Sequence, residues 1–174
     1  MRKIAIVGPE CSGKTTLTEE LALQYHCAYT REYARTYLEQ YGPSYDETDL
    51  LHIAGGQLLV EAEAQRLVGE RGGDLVLCDT DMITIRIWSE EKYGRCQKLI
   101  RQLAERTYYD LWLLCKPDIP WEMDPLRENP DDRDRLFEVY VTMLKRLDKP
   151  FTVISGERDE RLRSAKEAID RIGH

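Results

Sequence analysis

A short stretch near the N-terminus has the residue types and spacing of a phosphate-binding loop. Residues 8–15 read Gly-Pro-Glu-Cys-Ser-Gly-Lys-Thr and match the pattern G-x-x-x-x-G-K-[ST]. Glycines allow several backbone N–H groups to point at a polyphosphate, and the lysine reaches its outer phosphates. An apolar run precedes the pattern and a helical pattern follows it, which is the context the motif requires. The sequence therefore predicts a nucleoside polyphosphate site.

Two side chains of this loop carry specific chemical roles. We expect Lys14 to hold the outer phosphates during catalysis and the Thr15 hydroxyl to bind a Mg²⁺ shared by two phosphates. The predicted nucleotide contacts are Gly8, Pro9, Glu10, Cys11, Ser12, Gly13, Lys14, Thr15 and Thr16.

Two acidic residues follow the apolar run at 75–78. Asp79 has the position of a carboxylate that holds Mg²⁺, through a water molecule because Mg²⁺ keeps much of its hydration shell. The alternative is an aspartate that ends a strand or caps a helix. Asp81 is a second candidate for the base at an acceptor hydroxyl, and its alternative is the cap of a helix starting at Met82.

A further carboxylate follows the apolar run at 28–30. Glu32 could accept the proton of a hydroxyl that receives a phosphoryl group, while Arg31 or Arg35 could bind phosphate or ribose oxygens. The alternative is a solvated helix start bearing three charges. Gln57, within a later helical run, is another candidate for the acceptor pocket.

The segment 117–134 is the longest irregular part of the sequence and is rich in Pro, Asp and Arg. We interpret it as a lid, in which Arg127 and Arg133 would neutralise charge on the transferred phosphoryl group. Trp121 offers a face on which a flat or cationic ring could stack. The alternatives are an ordinary surface loop with Asp–Arg pairs and a Trp that packs on its own domain.

The elements that must position these residues form an alternating series. Apolar runs at 4–7, 28–30, 75–78, 111–115 and 151–154 predict five short buried strands, and helical patterns such as 16–25 and 136–147 lie between them. Strands separated by helices indicate a parallel sheet with ligands at its carboxyl edge. We predict a three-layer α/β fold in one domain over residues 1–174.

Charge and composition limit the partners that this sequence can have. The net charge is -7, from 25 Lys and Arg against 32 Asp and Glu, so a broad basic face for nucleic acid is not expected. No apolar run approaches the ~18 residues of a membrane span. The five cysteines form no C-x-x-C pair, which favours the cytosol. Small molecules are the expected partners, and the oligomeric state stays open.

The motifs, taken in order, resemble the ribosylnicotinamide kinase domain of the bifunctional NadR proteins. The likeness covers nearly the whole chain, and its later motifs are more specific than the phosphate loop. The residues that carry it are the phosphate loop, Arg31-Glu32-Tyr33, Ile53-Ala54 with Gln57, Cys78-Asp79-Thr80-Asp81, and Pro120-Trp121 through Asp124 to Arg127.

This resemblance implies a nucleoside-kinase-like fold in which ATP with Mg²⁺ phosphorylates the 5′-hydroxyl of nicotinamide riboside to nicotinamide mononucleotide. It also implies substrate contacts for Arg31, Tyr33 and Gln57. The riboside carries a positively charged ring, so a Trp121 face and the Asp124 carboxylate would favour it over neutral nucleosides.

Two alternatives remain at this point, a kinase of another nucleoside or small metabolite and an ATPase or nucleotide switch that acts on a protein partner. NadR proteins also carry a nucleotidyltransferase domain before the kinase, whereas this sequence starts at the kinase strand. We therefore expect NAD synthesis from the mononucleotide to need a separate adenylyltransferase.

Overall fold

A parallel five-stranded sheet forms the centre of the computed structural model, which describes residues 1–126 and 131–173. Each strand coincides with one of the apolar runs, so the predicted strands are confirmed. The order across the sheet is β2-β3-β1-β4-β5, and all four neighbouring pairs are parallel. The strands are β1 (Arg2–Val7), β2 (Ala28–Thr30), β3 (Leu75–Asp79), β4 (Leu111–Cys115) and β5 (Phe151–Ile154).

Helices connect successive strands, because parallel neighbours need a crossover from one end of the sheet to the other. Among the described residues, no helix is both long enough and apolar enough to cross a membrane. The helices are α1 (Lys14–Tyr25), α2 (Tyr33–Tyr41), α3 (Glu47–Glu70), α4 (Met82–Tyr93), α5 (Lys98–Arg106), α6 (Arg133–Arg146) and α7 (Arg158–Arg171).

Hydrophobic clusters cover both faces of the sheet. Side chains alternate along β1, so Ile4 and Ile6 pack with α1 and α7, while Ala5 and Val7 pack with helices α2 to α6. A strand buried on both faces reads as a continuous apolar run rather than an alternating one. The predicted three-layer fold is confirmed.

The carboxyl ends of the three strands β1, β2 and β3 meet at one edge of the sheet. β1 leads into the phosphate loop, β2 ends two residues before Glu32, and β3 ends at Asp79, whose register partner is Ile6. Chemical groups that are far apart in the sequence therefore converge there, as expected for an open parallel sheet.

Candidate active site

The phosphate loop adopts a backbone that its glycines make possible. Gly8 has φ 144°, and a Cβ added there would lie 2.5 Å from the Cys115 carbonyl oxygen. Gly13 has φ 78° and precedes α1, which begins without a side-chain cap. The free N–H groups of a helix N-terminus favour an anion. Lys14 Nζ donates to the carbonyl oxygens of Gly8 (3.1 Å) and Pro9 (3.0 Å), so its ammonium lies over the loop.

Arg161 holds the loop from behind, and the sequence reasoning missed it. Its guanidinium is buried and donates to the carbonyl oxygens of Ser12 at 2.9 Å, Gly156 at 2.8 Å and Lys116 at 2.6 Å, and it pairs with Asp118. The loop is thereby fixed to the ends of β4 and β5. The sequence does contain a signal for a buried Arg161. With helical spacing it falls on the same face of α7 as Ala165, Ala168 and Ile169, and this face is buried.

Asp79 and Thr15 form a pair suited to a hard cation. Asp79 Oδ2 accepts from Thr15 Oγ1 at 2.6 Å, while Oδ1 is buried and has no hydrogen-bond partner among the described residues. Burial, and then the nearby charge of Glu32, raise the pKa of Asp79 to about 6. A buried carboxylate oxygen without a partner is costly unless a ligand satisfies it. A hydroxyl and a carboxylate are donors that Mg²⁺ prefers, so this pair fits the predicted metal.

A cavity of about 270 Å³ opens beside the phosphate loop, and its lining combines loop residues with side chains from other elements. The loop residues 8–16 form one part of the lining, where phosphate chemistry is expected. The rest of the lining contains the half-buried Glu32 and is otherwise mainly apolar and aromatic, with a few polar groups. Besides Glu32, it comprises Ala34, Arg35, Leu38, Thr84, Ile87, Trp88, Glu91, Ile119, Glu122, Leu126, Leu136 and Tyr140.

Asp81, a sequence candidate for the base, has the structural role that was its alternative. Its Oδ1 caps α4 by accepting from Thr84 N at 2.8 Å, and its Oδ2 accepts from Trp112 Nε1 at 2.8 Å. The side chain is buried and does not line the cavity. Both oxygens of Asp81 accept hydrogen bonds within the fold, and of the two predicted bases Glu32 is the one that lines the cavity.

The five predicted acceptor contacts, Arg31, Tyr33, Gln57, Trp121 and Asp124, all lie outside the cavity lining. Gln57 is 1% exposed, and its amide accepts from Tyr33 N and donates to Glu61. The Tyr33 ring packs on the backbone of Gly56. The Arg31 side chain is exposed and lies 3.7 Å from Glu19.

The described part of segment 117–134, which the sequence predicts to be a lid, contacts the phosphate loop through Arg133. Its Nη1 donates to the carbonyl oxygens of Cys11 (3.0 Å) and Ile119 (3.1 Å). Its guanidinium also lies 5.6 Å from the centre of the Trp121 ring, and Trp121 does not line the cavity. Arg127 lies outside the described residues.

The lid also meets the loop and α2 at two further points. Cys11 Sγ donates to the Pro120 carbonyl oxygen at 3.4 Å and accepts from Glu122 N at 3.2 Å. Asp124 Oδ2 accepts from Arg35 Nη2 at 2.6 Å, which connects the lid to α2. Asp124 is thus part of a contact between this segment and α2, and among the predicted arginines that the structure describes, Arg35 lines the cavity.

Comparison with known proteins identifies the family. The model of a family described as an AAA domain matches residues 3–161. The chain belongs to this family. It is 27% identical over 153 residues to the trifunctional NAD biosynthesis/regulator protein NadR of Salmonella typhimurium, covering 83% of the chain and 36% of NadR. The Escherichia coli NadR is 26% identical over 165 residues, covering 90% and 39%. The chain thus spans less than two-fifths of the length of these relatives.

Solved structures confirm the fold of this family member. A NadR protein in complex with NR superposes with a TM-score of 0.76 at 23% identity, covering 98% of the chain and 51% of NadR. NadR with NAD and AMP-PNP gives 0.79 at 23% identity, covering 98% and 49%. Deoxyadenosine kinase from M. mycoides with dATP gives 0.63 at 14% identity, covering 98% and 100%. The resemblance to NadR is confirmed, and the chain has the phosphate loop and fold of ATP-dependent small-molecule kinases.

Proposed function

We propose that this protein transfers the γ-phosphoryl group of ATP to the 5′-hydroxyl of nicotinamide riboside. The observation that carries the proposal is one cavity whose lining combines the phosphate loop, the Glu32 carboxylate and the aromatic side chains of Trp88 and Tyr140. The NadR relatives, and the NadR structures with NR and with AMP-PNP, support the choice of riboside and ATP.

The donor end is organised by the backbone. The loop N–H groups and the N-terminus of α1 bind the phosphates, and Lys14 moves from the loop carbonyls to the outer phosphates. Thr15 and Asp79 would hold Mg²⁺, which supplies positive charge against the phosphates when it is bound. Arg161 keeps the loop in place behind them.

The acceptor end provides the base. The riboside hydroxyl oxygen bonds to the γ-phosphorus, ADP leaves with the electrons of the broken bond, and the hydroxyl proton passes to Glu32. A carboxylate serves this role when it lies within hydrogen-bond reach of the hydroxyl. Glu32 lines the same cavity as the loop, whereas Asp81 does not line it.

The aromatic end selects the cationic ring through Trp88 rather than Trp121. Trp88 and Tyr140 line the cavity, with Glu91 beside them, whereas the Trp121 ring lies against Arg133. A cation over a Trp face gains about 0.5–2 kcal/mol, depending on how far it is desolvated.

The five cysteines are free thiols, which fits the proposed cytosolic location.

Incubation of the purified protein with ATP, Mg²⁺ and a nucleoside panel tests the proposal, with products measured by mass spectrometry. We expect nicotinamide mononucleotide from nicotinamide riboside, and at least about a thousandfold loss in Lys14→Ala at unchanged melting temperature, since the lysine stabilises transition-state charge. Steady ADP release without any phosphorylated nucleoside would contradict the proposal, as would a strong preference for another nucleoside.

A further inference from the structure

The N-terminus of α2, which carries Glu32, is held from outside the helix. Glu32 is the N-cap residue, and its side chain makes no capping hydrogen bond. The first backbone N–H groups of a helix have no partner within the helix. Here the Tyr33 N–H donates to Gln57 Oε1 at 3.0 Å. A buried side chain of α3 therefore caps the helix that positions the candidate base.

A glycine of α3 provides a second contact with the same end of α2. A Cβ added to Gly56 would lie 2.0 Å from Cε1 of Tyr33, so the aromatic ring packs directly on the α3 backbone. Glycine weakens a helix interior relative to alanine, and the close approach of the ring explains its presence. The adjacent Gly55 faces open space, with no atom within 4 Å of an added Cβ. The two glycines are a matched pair that differ in their contact with α2.

The orientation of the Gln57 amide is fixed by a buried ionic group. Gln57 Nε2 donates to Glu61 Oε1 at 3.1 Å. Glu61 is 1% exposed and also accepts from Lys3 Nζ at 3.1 Å and from the Tyr109 hydroxyl at 2.9 Å. Because the amide nitrogen faces this carboxylate, its oxygen must face the Tyr33 N–H. A continuous polar chain thus connects β1 to the start of α2.

We propose that Gly56 and Gln57 form a clamp that positions the Glu32 carboxylate toward the acceptor hydroxyl. This proposal rests on the proposed function, which assigns the role of base to Glu32. Neither clamp residue lines the cavity, so both are positioning residues. They hold the ring and the backbone N–H of the residue next to Glu32, which restricts the directions its carboxylate can take. A misplacement of about 1 Å at a reacting group can reduce the rate about a hundredfold.

Hydrogen exchange tests the clamp without any acceptor. In Gly56→Ala the Tyr33 ring must move, so we expect backbone amides at the start of α2 to exchange at least about tenfold faster than in the wild type. Gly55→Ala is the matched control and leaves this exchange unchanged. Gln57→Met keeps the side-chain volume without the hydrogen bonds, and serves as the second test if Gly56→Ala does not fold. Equal exchange in all four proteins overturns the clamp.

Kinetics then separates positioning from general damage. We expect Gly56→Ala to lower kcat about tenfold while the affinity for ATP stays within about twofold, since the phosphate loop is untouched. In a Glu32→Gln background the same substitution should lower kcat by less than about twofold, because the group being positioned is gone. An equal factor in both backgrounds overturns the proposal. If the wild type makes no nicotinamide mononucleotide, the proposed substrate fails, whereas the exchange result still decides whether the clamp exists.

Discussion

The donor and acceptor ends of the cavity are built in different ways. The donor end comes from nine consecutive residues, 8–16, whose backbone conformation creates the site. The acceptor end takes single side chains from α2, α4, α6 and the lid, including Glu32, Trp88 and Tyr140. A site made of consecutive backbone groups can serve any nucleoside triphosphate. A site made of dispersed side chains can change its ligand by single substitutions, so we expect the proposed acceptor end to set the specificity.

Among substitutions at the acceptor end, the largest expected effect concerns Glu32 and tests whether this end has its own catalytic group. Glu32→Gln keeps the shape and removes the base, so we expect kcat to fall at least about a hundredfold. ATP binding, measured by titration with a fluorescent analogue, should be nearly unchanged, because the donor end is intact.

Asp81→Asn is the control for that experiment. Asparagine is also a good N-cap, so α4 should remain. Its amide nitrogen would face the Trp112 indole N–H, which lowers the free energy of unfolding, but kcat per folded molecule should stay close to the wild type. The assignment of the base would be wrong if Asp81→Asn lost as much turnover as Glu32→Gln while still binding ATP.

The same contrast explains what the sequence could predict. Apolar runs located all five strands, and the phosphate loop and Asp79 were found because each is defined by its neighbours in the chain. The sequence predicts ligand contacts for Gln57 and Trp121, because it does not show whether a polar or aromatic side chain near a site already has a partner within the protein. Their engagement with Tyr33 and with Arg133 depends on tertiary contacts, which local patterns do not contain. Trp88 was missed for the same reason.

An intermediate effect is expected for Arg161, which tests whether the donor end depends on more than its local motif. Lysine cannot replace a guanidinium that donates to three carbonyl oxygens, so Arg161→Lys removes hydrogen bonds to these carbonyl groups, of which that of Ser12 is buried. We expect a loss of about 2–3 kcal/mol in the free energy of unfolding and about a tenfold rise in the KM for ATP. Denaturant titration and steady-state kinetics measure the two effects.

The control for this prediction lies on the same helix. The Arg158 side chain is 75% exposed, and Arg158→Lys should change stability by less than about 0.5 kcal/mol. If Arg161→Lys behaves like Arg158→Lys, the loop needs no support from α7. The residues of the phosphate-loop motif would then be sufficient to form the donor end.

The smallest expected effect concerns Trp88 and tests which aromatic residue gives the acceptor end its preference for a cation. We expect Trp88→Leu to raise the KM for nicotinamide riboside about tenfold, equivalent to about 1.4 kcal/mol and within the range of a cation–π contact. The dihydro form of the riboside should lose much less affinity, because its reduced ring carries no positive charge. Trp121→Leu is the matched control and should leave the ratio between the two ribosides unchanged, since its ring lies beside Arg133. If that ratio changed in Trp121→Leu and not in Trp88→Leu, the ring would be recognised by segment 117–134 rather than by α4.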